Sequence, residues 1–369
     1  MRIRALDSIR GLLLLQMTLD HFGRPISYYL YQCFGFFSAA EGFFFLSGFV
    51  GMLAATSKGV KDPKQSWMRA RAFKTWRYHM VTLAALATAA YFLFPQVAMF
   101  FKGLYQHPLQ GSLWSAVLVN TPEWLDVLPL YVIFLLIASL VFPLFTKATR
   151  KRNVLCLWLP SLALWIAAQF GLRDACNSIF PQWIYHGDFD PFGWQFVYFS
   201  GAATSAWWRI ARKSEAAGDS LAVRSVKRLT PAIIVLLVFC FLWSHQFIAL
   251  AQPADFWTSK VHVGPLRFAN FFTFMLLICA TVRRWPALLD FRATNVMGRH
   301  SLDVYTAHIV LIYLWMATPG AVRYHQLIIE LLHQPSTQTH HRLRTLCVPM
   351  NGQRRTRLNS IQHPLTLIL

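Results

Sequence analysis

The sequence predicts an all-α protein, a transmembrane helix bundle with about nine spans. Hydrophobic residues make up 56% of its 369 residues and charged residues only 14%, whereas ordinary soluble domains carry roughly 25% charged residues. The apolar residues fall in runs of about 17 residues or more, long enough to cross the hydrocarbon core as helices. Lipid admits only helices and closed barrels, and these runs are too long and continuous for barrel strands.

The predicted spans are apolar runs separated by polar or basic loops. They lie at residues 4–24, 30–55, 78–98, 126–146, 153–171, 192–208, 230–250, 266–282 and 301–318. The first span has only nine uncharged residues in its middle, 11–19, so its flanking charges must lie within or close to the bilayer. Since no small-residue cleavage site follows this run, we expect a retained span and not a signal peptide.

The distribution of Lys and Arg predicts the orientation. The N-terminal segment and the loops after spans two, four, six and eight carry 24 Lys and Arg, and the alternate loops carry five. Because basic residues are retained on the cytoplasmic side of a membrane, we expect a cytoplasmic N-terminus. The net charge of +20 then comes mainly from basic loops, and we expect the lipid bilayer and no nucleic acid as a partner.

Aromatic and carboxylate side chains are frequent within and next to the predicted outer loops, 99–125 and 171–191. These residues are Glu123, Trp124, Asp126, Trp183, Tyr185, His186, Asp188, Asp190 and Trp194. Aromatic faces with carboxylates suit a sugar-binding surface, and an interfacial aromatic belt is the alternative. The H-G-D-F-D stretch at 186–190 is weak evidence for a metal, and we expect none.

Two regions are distinguished by composition. Residues 1–320 are predicted to form the integral membrane domain. Residues 321–369 are polar and basic without helical periodicity, which indicates a disordered or frame-shifted tail. The six cysteines include no C-x-x-C pair, so we expect neither a disulfide framework nor a zinc site.

Ionisable residues in the first span are the strongest candidates for function, because such groups are costly in a membrane. Arg10 and His21 are eleven residues apart, which places them on one helix face roughly 16 Å apart along the axis. Asp7 precedes Arg10 by one turn on that face. His21, next to Asp20, is a candidate general base, or else an interfacial histidine. Arg10 and Asp7 could anchor the span at the membrane edge, or the Arg10 guanidinium could bind a phosphate or carboxylate.

Glu41 and His308 are candidates in two other spans. Glu41 lies inside span two at a depth similar to that of His21, so we expect it to find a partner and to share the His21 site. In span nine, Ser301, Tyr305 and His308 lie on adjacent turns and predict a polar seam. A buried structural histidine is an equal alternative for His308.

Three stretches resemble a known family. The residues L-D-S-I-R-G-L-L-L-L-Q-M-T-L-D-H at 6–21 resemble the opening of the acyltransferase-3-like superfamily, most closely its OpgC branch. A-E-G-F-F-F-L-S-G-F-V-G at 40–51 and S-L-D-V-Y-T-A-H at 301–308 are also similar to that branch. Members usually have ten spans, and here the tail stands in place of the tenth.

The resemblance implies an activity and roles for single residues. OpgC proteins succinylate osmoregulated periplasmic glucans with a donor taken from the cytoplasm. Carried over by residue, His21 is the catalytic base with Asp20 and Glu41 in its site. Arg10 is a further companion in that site and His308 a supporting residue. We assign Arg10, Asp7 and His308 to substrate binding.

The sequence therefore predicts a membrane O-acyltransferase of the bacterial inner membrane. It would move a succinyl or other acyl group from cytoplasmic acyl-CoA to hydroxyls of a periplasmic glucan. We expect no permanently bound cofactor, only acyl-CoA as co-substrate. The alternatives are a proton-coupled secondary transporter, with Glu41, His21 and His308 as a relay, and a non-catalytic membrane subunit. Neither inverted repeats nor matched broken helices support a transporter.

Overall fold

A computed structural model describes residues 3–22, 27, 30–58, 62, 65–216 and 221–318, with residues 213–229 and 283 given by backbone at most. All regular structure in these ranges is helical, which confirms the predicted all-α class. The described helices belong to one compact unit, Met1–Ala317. The predicted tail, 321–369, lies outside the described residues.

Fourteen α-helices lie within the described ranges. They are α1 (Arg4–His21), α2 (Ala39–Lys58), α3 (Ser66–Phe92), α4 (Lys102–Gln106), α5 (Pro108–Ala116), α6 (Val127–Lys147), α7 (Lys151–Gln169), α8 (Leu172–Asn177), α9 (Pro191–Ala216), α10 (Leu221–Ser244), α11 (Asp255–Thr258), α12 (Pro265–Arg284), α13 (Arg292–Arg299) and α14 (Ser301–Ala317). Two short 3-10 helices, Pro95–Phe101 and Pro286–Leu289, lie between them.

Each predicted span overlaps one long helix. Three stretches are long and apolar enough to cross a membrane by length and composition, namely Ala39–Lys58, Val127–Lys147 and Pro265–Val282. Thr230–Ser244 and Ser301–Ala317 are shorter apolar helices. Helix α1 is less apolar because its 18 residues include Arg4, Asp7, Arg10 and Asp20. The count of nine crossings and the cytoplasmic N-terminus stay predictions.

The surface of the long helices is apolar. Phe92, Leu140 and Val235 are 73%, 71% and 68% exposed, and many other large hydrophobic side chains are exposed on the same helices. Extended apolar surface of this kind marks contact with a membrane. The chain is therefore a membrane protein.

Helix α2 begins at Ala39 and not near residue 30, as predicted for span two. Gly35 has a φ of 124°, which side chains rarely adopt, and a Cβ there would lie 2.3 Å from Asn270 Oδ1. The same oxygen accepts the Phe36 N–H at 2.8 Å. The chain is thus held against α12 just before α2, and Ser38 lies directly before the first turn of α2.

Helices α1 and α13 pack backbone to backbone. A Cβ at Gly11 would lie 1.9 Å from the Thr294 carbonyl oxygen, and one at Gly298 would lie 1.8 Å from the Asp7 carbonyl oxygen. The Ser8 and Thr294 hydroxyls are 2.7 Å apart and share a hydrogen bond. These contacts fix the N-terminal half of α1, and with it the height at which Arg10 and His21 lie in the bundle.

Candidate functional site

The candidate site is a cavity of about 320 Å³ beside the C-terminal end of α1. Its walls come from α1, the segment before α2, α14, and the loops that precede α6, α9 and α12. The lining residues are Gln16, Met17, Asp20, His21, Ser27, Leu30, Tyr31, Ser38, Ala39, Ala40, Trp124, Asp126, Val127, Asp188, Phe189, Lys260 and Tyr305. Of the predicted site residues, Asp20 and His21 line the cavity.

His21 contacts His308 across the bundle. The Nδ1 atom of His21 lies 3.3 Å from Nε2 of His308, with the two rings inclined by 15°. His308 is 2% exposed, and its Nδ1 lies 2.9 Å from the Tyr305 carbonyl oxygen. The structure therefore brings together two predicted site residues that are 287 positions apart.

The Tyr305 carbonyl fixes the protons on both rings. A carbonyl oxygen only accepts, so Nδ1 of His308 carries a proton and donates it. In the neutral ring Nε2 is then an acceptor, and it accepts a hydrogen bond from the protonated Nδ1 of His21. Nε2 of His21 is left with an unprotonated lone pair, which is the form that a general base requires.

Asp20 lies in the same cavity but does not orient His21. Its Oδ1 accepts a hydrogen bond from the Ser27 hydroxyl at 3.0 Å. Although Asp20 precedes His21 in the chain, the described side-chain partner of the His21 ring is His308. The His21 ring is thus held by a second imidazole and not by the carboxylate that precedes it in the chain.

Glu41 has a partner, as expected for a carboxylate inside a helix bundle, and that partner is Arg267 of α12. The Arg267 Nε donates to Glu41 Oε1, and the two side chains are 1% and 0% exposed. Glu41 Oε2 accepts the N–H and hydroxyl of Ser38 at 3.0 and 2.8 Å. Arg267 also donates to the Ser38 hydroxyl at 3.2 Å. The Glu41 carboxylate is therefore fully engaged behind the cavity wall and does not contact His21.

Arg10 lies in the N-terminal half of α1, away from the cavity at the C-terminal end of that helix. It is 7% exposed, and its Nη2 is 3.5 Å from the Leu46 carbonyl oxygen. Its Nε has no hydrogen-bond partner among the described residues. Asp7, one turn earlier, and Arg71 of α3 are close enough to Arg10 to interact with it electrostatically.

Carboxylates and aromatic rings also line the cavity. Asp188 donates its N–H to Asp126 Oδ2 at 2.8 Å, and its own carboxylate accepts the Tyr185 hydroxyl at 2.5 Å. Burial and this bond to Asp188 raise the pKa of the Tyr185 hydroxyl above its ordinary value, so the hydroxyl stays a donor. Trp124 and Phe189 add ring faces to the cavity.

The H-G-D-F-D stretch is divided between different partners. Asp188 faces the cavity wall, while Asp190 Oδ2 lies 2.8 Å from His262 Nδ1. In the ranges that the structure describes, no group of three or more His, Cys, Asp or Glu side chains could hold a metal ion.

Two cations at this end of the molecule were missed as site residues. Arg267 and Lys260 entered the sequence reasoning only as outer-loop charges. Arg267 is the second residue of the span predicted at 266–282. Glu41 was singled out because an ionisable side chain inside a span is costly and needs a partner, and the same argument applies to Arg267. No comparable signal marks Lys260, since only the fold brings its loop to the cavity.

Comparison with known proteins identifies one family. A family model described as OpgC protein matches residues 2–334, which is well over half of the chain. No curated protein and no solved structure matches.

Proposed function

Because the chain belongs to the OpgC family, we propose that it is a membrane O-acyltransferase that acts on a periplasmic glucan in the bacterial inner membrane. The donor is acyl-CoA from the cytoplasm, and the transferred group is succinyl or a related acyl group. The observation that carries the proposal is the hydrogen-bonded chain from the Tyr305 carbonyl through His308 to His21, which leaves a base at the edge of a cavity.

The chemistry needs one base that later acts as an acid. His21 Nε2 takes the proton of a sugar hydroxyl as its oxygen attacks the thioester carbonyl carbon. The new C–O ester bond forms and the C–S bond breaks. The departing CoA thiolate then receives the same proton from His21. His308 accepts from His21 Nδ1 and stabilises the imidazolium that forms in between.

The donor end of the proposal rests on Arg10 and Arg71. Arg10 and Arg71 carry two positive charges and the Asp7 carboxylate beside Arg10 offsets one of them, so the pair still favours an anion. The Tyr198 hydroxyl, which also interacts with Arg10, has no hydrogen-bond partner among the described residues. These donors suit a CoA phosphate. Because Arg10 and His21 are roughly 16 Å apart along α1, an extended pantetheine arm can connect a phosphate at one to a thioester at the other.

The acceptor end of the proposal rests on the carboxylates and aromatic rings that line the cavity with His21. Sugar hydroxyls donate to carboxylates, and sugar rings pack on aromatic faces through their C–H groups. Asp126, Asp188 and Trp124 supply both kinds of contact beside the base. The carboxylate-rich outer wall and the basic loops on the opposite side match a neutral glucan acceptor and an anionic donor.

The test is glucan-dependent release of CoA by purified full-length protein. We expect labelled succinyl-CoA to yield free CoA and a succinylated glucan, and His21→Ala to abolish both. His300→Ala is the matched control, because this side chain is 64% exposed and lies outside the cavity. Unchanged glucan succinylation by His21→Ala would refute the catalytic assignment, and solute uptake into vesicles without an acceptor would favour a transporter.

A further inference from the structure

Lys260 supplies a positive charge in the cavity. Among the described residues that line it, Lys260 is the single Lys or Arg. Its Nζ lies 5.3 Å from the ring centroid of Tyr31 and 5.3 Å from that of Phe189. Cation–π contacts of this kind hold the ammonium in place without neutralising its charge.

The backbone that carries Lys260 is fixed by buried side chains. The Trp194 indole donates to the carbonyl oxygens of Lys260 and Val261 at 3.0 and 3.1 Å. The Asp190 N–H donates to the Val261 carbonyl at 3.0 Å, and the Asp190 carboxylate lies 2.8 Å from His262 Nδ1. Trp194 and Asp190 are both 0% exposed. Lys260 is thus held on a preorganised loop and not on a loose surface segment.

The carboxylates of the cavity have donors of their own. Asp20 accepts from the Ser27 hydroxyl, Asp188 from the Tyr185 hydroxyl, and Asp126 from the Asp188 N–H. None of them lies within salt-bridge distance of Lys260 in the part of the chain that the structure describes. The ammonium nevertheless interacts electrostatically with Asp20 and His21, so it lies near the reacting end of the cavity.

Resting on the proposed acyl transfer, we infer that Lys260 binds the terminal carboxylate of the acyl group and selects a dicarboxylic monothioester over a neutral one of equal length. In a four-carbon acyl chain only two methylene groups separate the two carboxyl carbons. A chain whose thioester is at His21 therefore places its other end within the same cavity. A neutral chain offers the ammonium no carboxylate in contact, whereas a succinyl group forms a charge-assisted hydrogen bond with it.

The test compares succinyl-CoA with butanoyl-CoA, which has the same four carbons and no terminal carboxylate. Full-length protein with a glucan acceptor is given both donors, and the two esters are quantified by mass spectrometry. We expect wild-type protein to prefer the succinyl donor. Lys260→Met should lower kcat/KM for succinyl-CoA by ~10- to 100-fold, the effect of losing one charge-assisted hydrogen bond, and leave the value for butanoyl-CoA within about threefold. Lys260→Arg should keep the preference.

The ratio of the two esters from one preparation does not depend on how much of a variant is folded. Lys102→Met, an exposed lysine outside the cavity, serves as the matched control and should keep the wild-type ratio. An equal loss of kcat/KM with both donors in Lys260→Met would overturn the inference. Lys260 would then serve to neutralise the cavity carboxylates, and the proposed acyl transfer would still stand. Absence of both esters from wild-type protein would overturn the proposed function and this inference together.

Discussion

Replacing Glu41 by Gln tests whether the buried ion pair supports the fold or takes part in the chemistry. Both oxygens of Glu41 accept hydrogen bonds, one from Ser38 and the other from Arg267. The amide of Glu41→Gln has one oxygen, so it can accept from Ser38 or from Arg267 but presents its NH₂ group to the other donor. Arg267 remains buried and charged. Removing one partner of a buried ion pair costs about 3–5 kcal/mol. The unfolding entropy of a 369-residue chain converts each kcal/mol into ~1.3 °C, so we expect Tm to fall by about 4–7 °C.

The double variant Glu41→Gln/Arg267→Met separates the two roles. It removes the unpaired guanidinium, and replacing both partners of a buried pair is often nearly neutral. We expect thermal unfolding of the double variant in detergent to approach the wild-type midpoint, and glucan succinylation to recover with it. A Glu41→Gln variant as stable as the wild type would refute the reasoning about the pair. A double variant that is stable but inactive would show that Glu41 or Arg267 acts in the reaction itself.

Three further perturbations address other parts of the site. His308→Ala should lower kcat by ~10- to 100-fold with little change in KM, as for other residues that orient a reacting group. His308→Gln should retain more activity, because its amide oxygen can accept a hydrogen bond from His21. Steady-state release of CoA measures both variants. Arg10→Gln should lower kcat/KM for acyl-CoA by ~10- to 100-fold through loss of a charge-assisted contact, and an unaltered KM for the donor would contradict the assignment. Gly298→Ala should destabilise the fold by about 1–3 kcal/mol, because its Cβ would meet a backbone oxygen at 1.8 Å, whereas Gly51→Ala, with its nearest neighbour at 3.4 Å, should unfold at the wild-type temperature.

The positions of the helices were largely predictable because apolar length and basic loops are local properties of the sequence. Six of the nine predicted spans lie inside a described helix or within three residues of its bounds, and the spans at 78–98 and 230–250 run six residues past the ends of α3 and α10. The start of α2 was not predicted, since it depends on Gly35 meeting Asn270, a contact between positions 235 residues apart. Periodicity alone carries no information about such a contact.

The candidate site was predictable in part for the same reason. His21 and His308 could be singled out as ionisable residues within spans, but their pairing depends on how α1 and α14 meet. Glu41 was assigned to the His21 site from its depth alone, and depth does not determine which face of a helix points to the cavity. Lys260 lies in a loop that is held at the cavity by hydrogen bonds from Trp194 and Asp190. No sequence pattern around Trp194 or Asp190 indicates these bonds.

The chain of hydrogen bonds that ends at the Tyr305 carbonyl is a dead end for protons. A peptide carbonyl does not take up a proton at neutral pH, so a proton gained by His21 has no onward path through His308. It can only return to the cavity, where the proposed reaction delivers it to the departing thiolate. A transporter relay requires the opposite, an entrance and an exit on different sides. The turnover expected of this arrangement therefore leaves the proton content of both compartments unchanged.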